Sequence, residues 1–273
     1  MRYNTPAMAL SIQHGYTETP QGRVHYAHAG QGRAVLLLHG IGCSTRSWEP
    51  VMPLVAERMS VYALDMLGHG DSDKPRLNEP NARFLVPDWA DNLVSFMEAN
   101  GLAKACVAGN AIGGTIAVDL AARRPELVER LALLSCPGWD SEAERVERWR
   151  NVQNRLEPDG SAKPQSPADV GRNFALVTEA AIEQSTDDRR RAGPWYGNTL
   201  QAQYAYDTPA LAQRITAPTI VAYGGMDFLR DTAQPLLRAI QGARFVTVPE
   251  ASHIMPFDAP EAVAQLLLDF FTA

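Results

Sequence analysis

Several things are scarce in this 273-residue sequence. It holds three cysteines, Cys43, Cys106 and Cys136, with no CxxC pair and no metal-ligand spacing. Neither a disulfide framework nor a zinc site is expected, and the thiols read as reduced. There is no excess of positive charge. A formal net charge of −6 and a pI near 5.5 argue against a nucleic-acid or anionic-membrane surface. No apolar run approaches the roughly 20 residues that cross a bilayer. The first fifteen residues, MRYNTPAMALSIQHG, lack the apolar stretch of a signal peptide, so a reducing cytosol is the expected compartment. Internal repeats are absent. Histidine is unevenly spread: of six, only His253 lies beyond residue 69, which leaves one candidate base in the last three quarters of the chain.

What is present fits a globular domain. The composition, 45% hydrophobic and 21% charged, is near the average for soluble domains, and the length suits one large α/β domain with an insertion. From residue 34 onward short β-branched apolar runs alternate with helical patterns, the signature of a mostly parallel sheet wrapped by helices. The runs are AVLLLHG (34–40), SVYALDMLG (60–68), ACVAGN (105–110), RLALLSC (130–136), TIVAYGG (219–225) and RFVTVPEA (244–251). Ahead of them, two arms around Pro20-Gln21-Gly22 suggest an antiparallel hairpin at the sheet edge. Asp88 is placed to cap a helix whose Trp89, Leu93, Phe96 and Met97 form one apolar stripe. Residues 138–214 carry no strand signal and read as a helical cap inserted into a core formed by 1–137 and 215–273.

Open α/β sheets place their sites at the carboxyl ends of strands, and four such ends carry reactive residues. His39-Gly40-Ile41-Gly42 follows the first buried strand, where a glycine loop can aim a backbone N–H into a pocket. Gly109-Asn110-Ala111-Ile112-Gly113 has the spacing of the GxSxG turn, with alanine where serine is expected. Asp227 follows a strand and a Gly-Gly turn, a place equally suited to a helix cap. His253 follows the last strand. Their order is that of a nucleophile, an acid and a histidine.

On LLLHGIGCSTRSW, ALDMLGHGDSDKP, GNAIGG, PTIVAYGGMD and SHIMPFDAPE, the sequence resembles the α/β-hydrolase fold superfamily along nearly the whole chain. The resemblance implies an eight-stranded, mostly parallel sheet flanked by helices. It puts Ala111 at the nucleophile position, Asp227 as acid, His253 as base, and the N–H groups of Ile41 and Ile112 in the oxyanion hole. The context is similar to the serine branch of esterases, lactonases and carbon–carbon bond hydrolases. Enzymes of the superfamily with an aspartate nucleophile usually carry an aromatic residue after it, whereas Ile112 stands here. Carbon–carbon hydrolases often have a tryptophan after the histidine, and here Ile254 and Met255 follow, which favours ester or lactone cleavage.

Ala111 leaves two explanations: a serine hydrolase disabled at its nucleophile, or a non-catalytic relative that keeps the pocket as a receptor. A displaced nucleophile at Ser44, Cys43 or Ser135 is disfavoured. A small, largely apolar ester or lactone is the expected partner, with a pocket wall from Gly40, Ser44, Asn110, Trp139, Trp195, Tyr196, Phe228 and Ile254. Arg189-Arg190-Arg191 could anchor a substrate carboxylate or simply form a solvated helix face. No metal or organic cofactor is expected, and a monomer or homodimer is the expected assembly.

Overall fold

The apolar runs pair into one eight-stranded sheet, seen in a computed structural model that describes residues 11–77, 84–171, 173–176 and 178–273. Its strands are β1 (Gln13–Thr19), β2 (Gly22–Ala29), β3 (Ala34–Leu38), β4 (Ser60–Leu64), β5 (Ala105–Asn110), β6 (Val128–Leu134), β7 (Thr219–Gly224) and β8 (Arg244–Val248). They lie in the order β1-β2-β4-β3-β5-β6-β7-β8. The β1–β2 hairpin is antiparallel and joins β4 antiparallel at one side; the other neighbours are parallel. The fold is therefore the one expected.

Period-two alternation decides which side chain faces which helix layer. Leu36, Leu38 and Val107 point to the face covered by α2 (Val86–Ala99) and α3 (Ile112–Arg123), with Trp89, Phe96, Ile116 and Leu120 among their buried partners. Val35, Leu37, Cys106 and Ala108 point the other way, toward α1 (Met52–Ala56) and the last helix (Pro260–Phe271), which supplies Leu267 and Phe271. Each fully buried leucine or phenylalanine contributes about 1.5–3 kcal/mol. This two-faced burial makes the sheet a rigid platform for the loops at its carboxyl edge.

The strands stop short of the apolar runs. β3 ends at Leu38, β4 at Leu64 and β8 at Val248, because the following residues turn out of the ladder; His69 N–H bonds Met66 O and Ala251 N–H bonds Val248 O. β6 ends at Leu134 because Ser135 takes a positive φ of 51°. The Asp88 expectation is corrected in the same spirit. With Pro87 in the first turn, α2 starts at Val86, and Asp88 sits inside it, accepting the Leu85 N–H at 2.6 Å. It still satisfies a free amide at the positive end of the helix.

Between β6 and β7 lie α4 (Glu142–Val152), α5 (Pro167–Val170), α6 (Glu179–Ala192), α7 (Trp195–Ala205) and α8 (Thr208–Ala212). The last of these packs on α3 and on α9 (Ala233–Ala239), and its Ala212 belongs to the main core. A short α10 (Met255–Asp258) follows His253, and Pro260–Phe271 is α11. Among the described residues no helix is long and apolar enough to cross a membrane.

The tightest packing is at the start of α3. A Cβ on Gly113 would run into the Leu38 carbonyl and lie 2.8 Å from His39 O, both backbone atoms of β3 or its loop. Gly113→Ala is expected to destabilise the protein by about 1–3 kcal/mol through overpacking alone, measured by urea unfolding. A loss below about 0.5 kcal/mol, the range of inert surface changes, would contradict this close approach.

Candidate active site

β5 runs into α3 through a single residue, Ala111, at φ 51° and ψ −115°. Among the described residues only Ala111 and Ser135 are non-glycines with positive φ. Such a conformation costs roughly 1–3 kcal/mol and persists only where the surroundings enforce it. The enforcement is visible. Ala111 N–H donates to Leu134 O at 2.9 Å, and the Asn110 side-chain amide donates to Leu134 O at 3.2 Å and to His253 O at 3.0 Å. Gly109 and Gly113 leave no room for side chains beside the turn.

The glycine loop after β3 comes up against this residue. A Cβ on Gly40 would lie 3.7 Å from Ala111 Cβ and 3.3 Å from Asn110 Oδ1. His39 braces the loop from below: Nδ1 bonds Gly40 O at 2.8 Å and Nε2 accepts Met66 N–H at 3.1 Å. That pattern requires the neutral Nδ1–H tautomer. Burial pushes the His39 pKa down, against the opposing charge of Asp65. Among the described residues the N–H groups of Ile41 and Ile112 find no acceptor within the protein. Free amides beside the turn are what an oxyanion requires.

Asp227 and His253 meet after β7 and β8. The Asp227 carboxylate accepts Leu229 N–H at 2.9 Å through Oδ1, and the same oxygen lies 3.2 Å from His253 Nδ1. It is therefore both a turn-capping aspartate and the histidine's partner. Burial opposes its charge, yet His253, the Ser135 hydroxyl and Leu229 N–H together hold its carboxyl below the ordinary range. The His253 side chain is 13% exposed, and the Phe228 ring stands 4.7 Å away.

Ala111, His253, Gly40 and Ile41 line one cavity of about 370 Å³, within the range of small-molecule sites. Asn110, Trp139, Tyr196, Phe228 and Ile254 also line it, whereas Ser44 and Trp195 do not. Ser44 is buried, capping a turn and donating to Asp188 Oδ1 at 2.9 Å on α6. Trp195 packs on Gly68 and the rings of Phe84 and Trp89, tying α7 to the core. Ile112 contributes no side chain to the cavity, its own being wholly buried in the core. Burial pushes the Cys43 thiol up to about 12, so it stays protonated. It too lines the cavity.

The wall supplied by the inserted helices is more polar than expected. Arg148, Asn151, Val152 and Arg155 line it at i, i+3, i+4 and i+7, one face of α4 and the turn after it. Gln165, Asp169, Asn173, Gln203 and Arg189 add to it. Of the three consecutive arginines, Arg190 pairs with Asp187 and Arg191 with Asp71. Arg189 has no carboxylate partner among the described residues; its guanidinium lies 5.2 Å from the Tyr196 ring centre and its Nε is buried without a partner. The stripe on α4 was present in RWRNVQNR, but helical spacing alone does not say which face of a surface helix looks inward. Outside the cavity, His25, Asp65 and Asp71 have ligand atoms close together. Asp65 is already engaged by His25 at 2.7 Å, Thr45 N–H at 2.6 Å and Asp71 N–H at 2.8 Å.

Known proteins share the sequence pattern and the fold. Residues 35–266 match the model of the alpha/beta hydrolase family. The chain is 27% identical to a soluble epoxide hydrolase of Corynebacterium sp. over 97% of this chain and 99% of the other. A 2-hydroxymuconate semialdehyde hydrolase of Pseudomonas sp. is 35% identical over 42% of this chain and 41% of that one. The match to uncharacterised mycobacterial proteins, at 35% identity, spans 49% of this chain and 36% of their length. The enol-lactonase of Burkholderia xenovorans shares the fold, with a TM-score of 0.76, 23% identity and coverage of 95% of this chain and 100% of the other. The chain belongs to the alpha/beta hydrolase family.

Proposed function

We propose that this scaffold cleaves a carboxylic ester or lactone when serine occupies position 111, and that with alanine there the chain binds such a substrate without turning it over. The observation that carries this reading is the convergence on one cavity of the strained residue 111, the Gly40 loop and the Asp227–His253 pair. With a serine hydroxyl in place of the Ala111 methyl group, His253 Nε2 would take the hydroxyl proton as Oγ attacks the carbonyl. Asp227 would hold the Nδ1–H and balance the imidazolium, and the free N–H groups of Ile41 and Ile112 would bind the oxyanion. His253 would return the proton to the leaving oxygen, and water would release the acyl group by the same steps reversed. Ala111 removes the attacking atom and leaves the remaining parts in place.

Helices α4 to α7 serve in this reading as a lid. Ser44 and Arg46 fasten it to the core through Asp188 and Asp187, at 2.9 and 3.0 Å. Its inward polar face modifies the expected substrate: the part around the scissile carbonyl is apolar, and an anionic substituent meets Arg189. This unpaired arginine also supports the second reading, a carbon–carbon bond hydrolase acting on a carboxylated substrate, for which the Pseudomonas relative is the parallel. A pocket-bearing receptor without turnover is the third.

Ala111→Ser is expected to restore turnover of p-nitrophenyl esters at neutral pH by at least about 10³-fold, and His253→Ala in that background to abolish the gain. A restored protein that stays inert towards esters and lactones would favour the receptor. Calorimetry of the unmodified chain should show binding of esters that are not cut. In the Ala111→Ser protein, Arg189→Gln is expected to raise KM roughly ten- to hundredfold for carboxylated esters, the worth of a hydrogen bond to a charged group, and to leave neutral esters unchanged. Equal effects on both would exclude an anionic contact at Arg189.

A further inference from the structure

Among the described residues Ser135 is the other non-glycine held at positive φ. It follows β6 directly, at φ 51° and fully buried, and its N–H donates to Ala222 O of β7 at 2.8 Å. Glycine adopts such a φ without steric penalty, and serine does not. A fully buried hydroxyl on a strained backbone calls for a partner. Ser135 Oγ and Asp227 Oδ2 are both buried beyond the ends of the adjacent strands β6 and β7, and neither has a hydrogen-bond partner among the described residues, while the Ser135 hydroxyl helps to hold the Asp227 carboxyl below the ordinary range. Oδ1 is fully used, shared between His253 Nδ1 and Leu229 N–H. Tyr223, packed nearby, donates its own hydroxyl elsewhere, to Cys136 O.

The geometry points to Ser135 as a positioning residue that holds Asp227 by Oδ2, so that Oδ1 faces His253. The backbone twist is what makes this possible. At an extended φ the side chain at the end of β6 would follow the alternation of the strand; at +51° it departs from it. The same carbonyl link places it in register with the nucleophile position, since Leu134 O, one residue earlier, accepts the N–H of Ala111. Two neighbouring strands thus run into strained residues, and the bond from Ala111 N–H goes to Leu134 O, the residue just before Ser135. One orients the attacking position and the other the acid.

This role rests on the ester-hydrolase reading, and its test has one arm that does not. In the Ala111→Ser background, Ser135→Ala and Ser135→Gly should each lower kcat roughly ten- to hundredfold with little change in KM, as loss of a hydrogen bond to a charged group implies. The acid limb of kcat/KM should move to higher pH, because a carboxylate stripped of a donor holds an imidazolium more tightly. Glycine separates backbone from hydroxyl: it relieves the strain, so if only the backbone mattered Ser135→Gly would keep full activity. The independent arm uses the unmodified chain. The Asp227 carboxyl, followed by carbon NMR, should titrate about one pH unit higher in both variants than in the parent, since one hydrogen bond to the charged form is worth about that much. If the Asp227 titration and the acid limb stay where they are, Ser135 does not hold the acid. If the titration moves while every Ala111→Ser protein remains inert, the positioning role stands and the ester-hydrolase reading fails.

Discussion

The bond from Ala111 N–H to Leu134 O, 2.9 Å long, is the constraint on which the site depends. It holds residue 111 in a backbone conformation that an L-amino acid disfavours, and it does so from the neighbouring strand. The sheet is buried on both faces, so the strand ends cannot drift relative to one another. Gly113 then presses α3 against Leu38 and His39, which brings the loop with Gly40 and Ile41 beside Ala111. Asn110 extends the same constraint to the His253 loop through its 3.0 Å bond to the His253 carbonyl. Strain at one residue is therefore distributed over β3, β5, β6 and the segment after β8, and that is what keeps the reactive positions together.

The electrostatics follow from the same burial. His39 and His69 lie wholly inside, and desolvation keeps both neutral, His69 with its pKa down to about 3. His253 differs from them in being partly exposed at the cavity and paired with a carboxylate. Asp227 keeps its charge despite burial because His253 and the Leu229 N–H meet its Oδ1. A histidine that can reach both water and an ionised acid is the one suited to move a proton.

The strand-end motifs were legible because each combines an unambiguous signal, a short apolar strand, with small residues that only a tight turn needs. GNAIGG is readable since glycine on both sides of the central position is a steric requirement of the turn. The cavity wall was not legible to the same degree. Trp195 and Ser44 are as plausible in a pocket as Trp139 and Tyr196, and what separates them is which way α6 and α7 rest on the core. Trp195 found space over Gly68, and Ser44 found the buried carboxylate of Asp188. The arginine run shows the same limit. Which of three neighbours faces inward is decided by the acids on either side, and these are brought close only by folding. Ser135 was visible only as a serine at a strand end, since its role lies in a dihedral angle that no residue pattern announces.

The central claim is that residue 111, His253 and two free main-chain amides surround a single point in the cavity. Crystals of the unmodified chain soaked with an ester it does not cut test this most directly. The ester carbonyl oxygen should lie about 2.7–3.1 Å from both the Ile41 and Ile112 nitrogens, with its carbon over the Ala111 methyl group. An ester bound elsewhere in the cavity, or one whose carbonyl turns away from those amides, would show that the pocket was not built for acyl transfer.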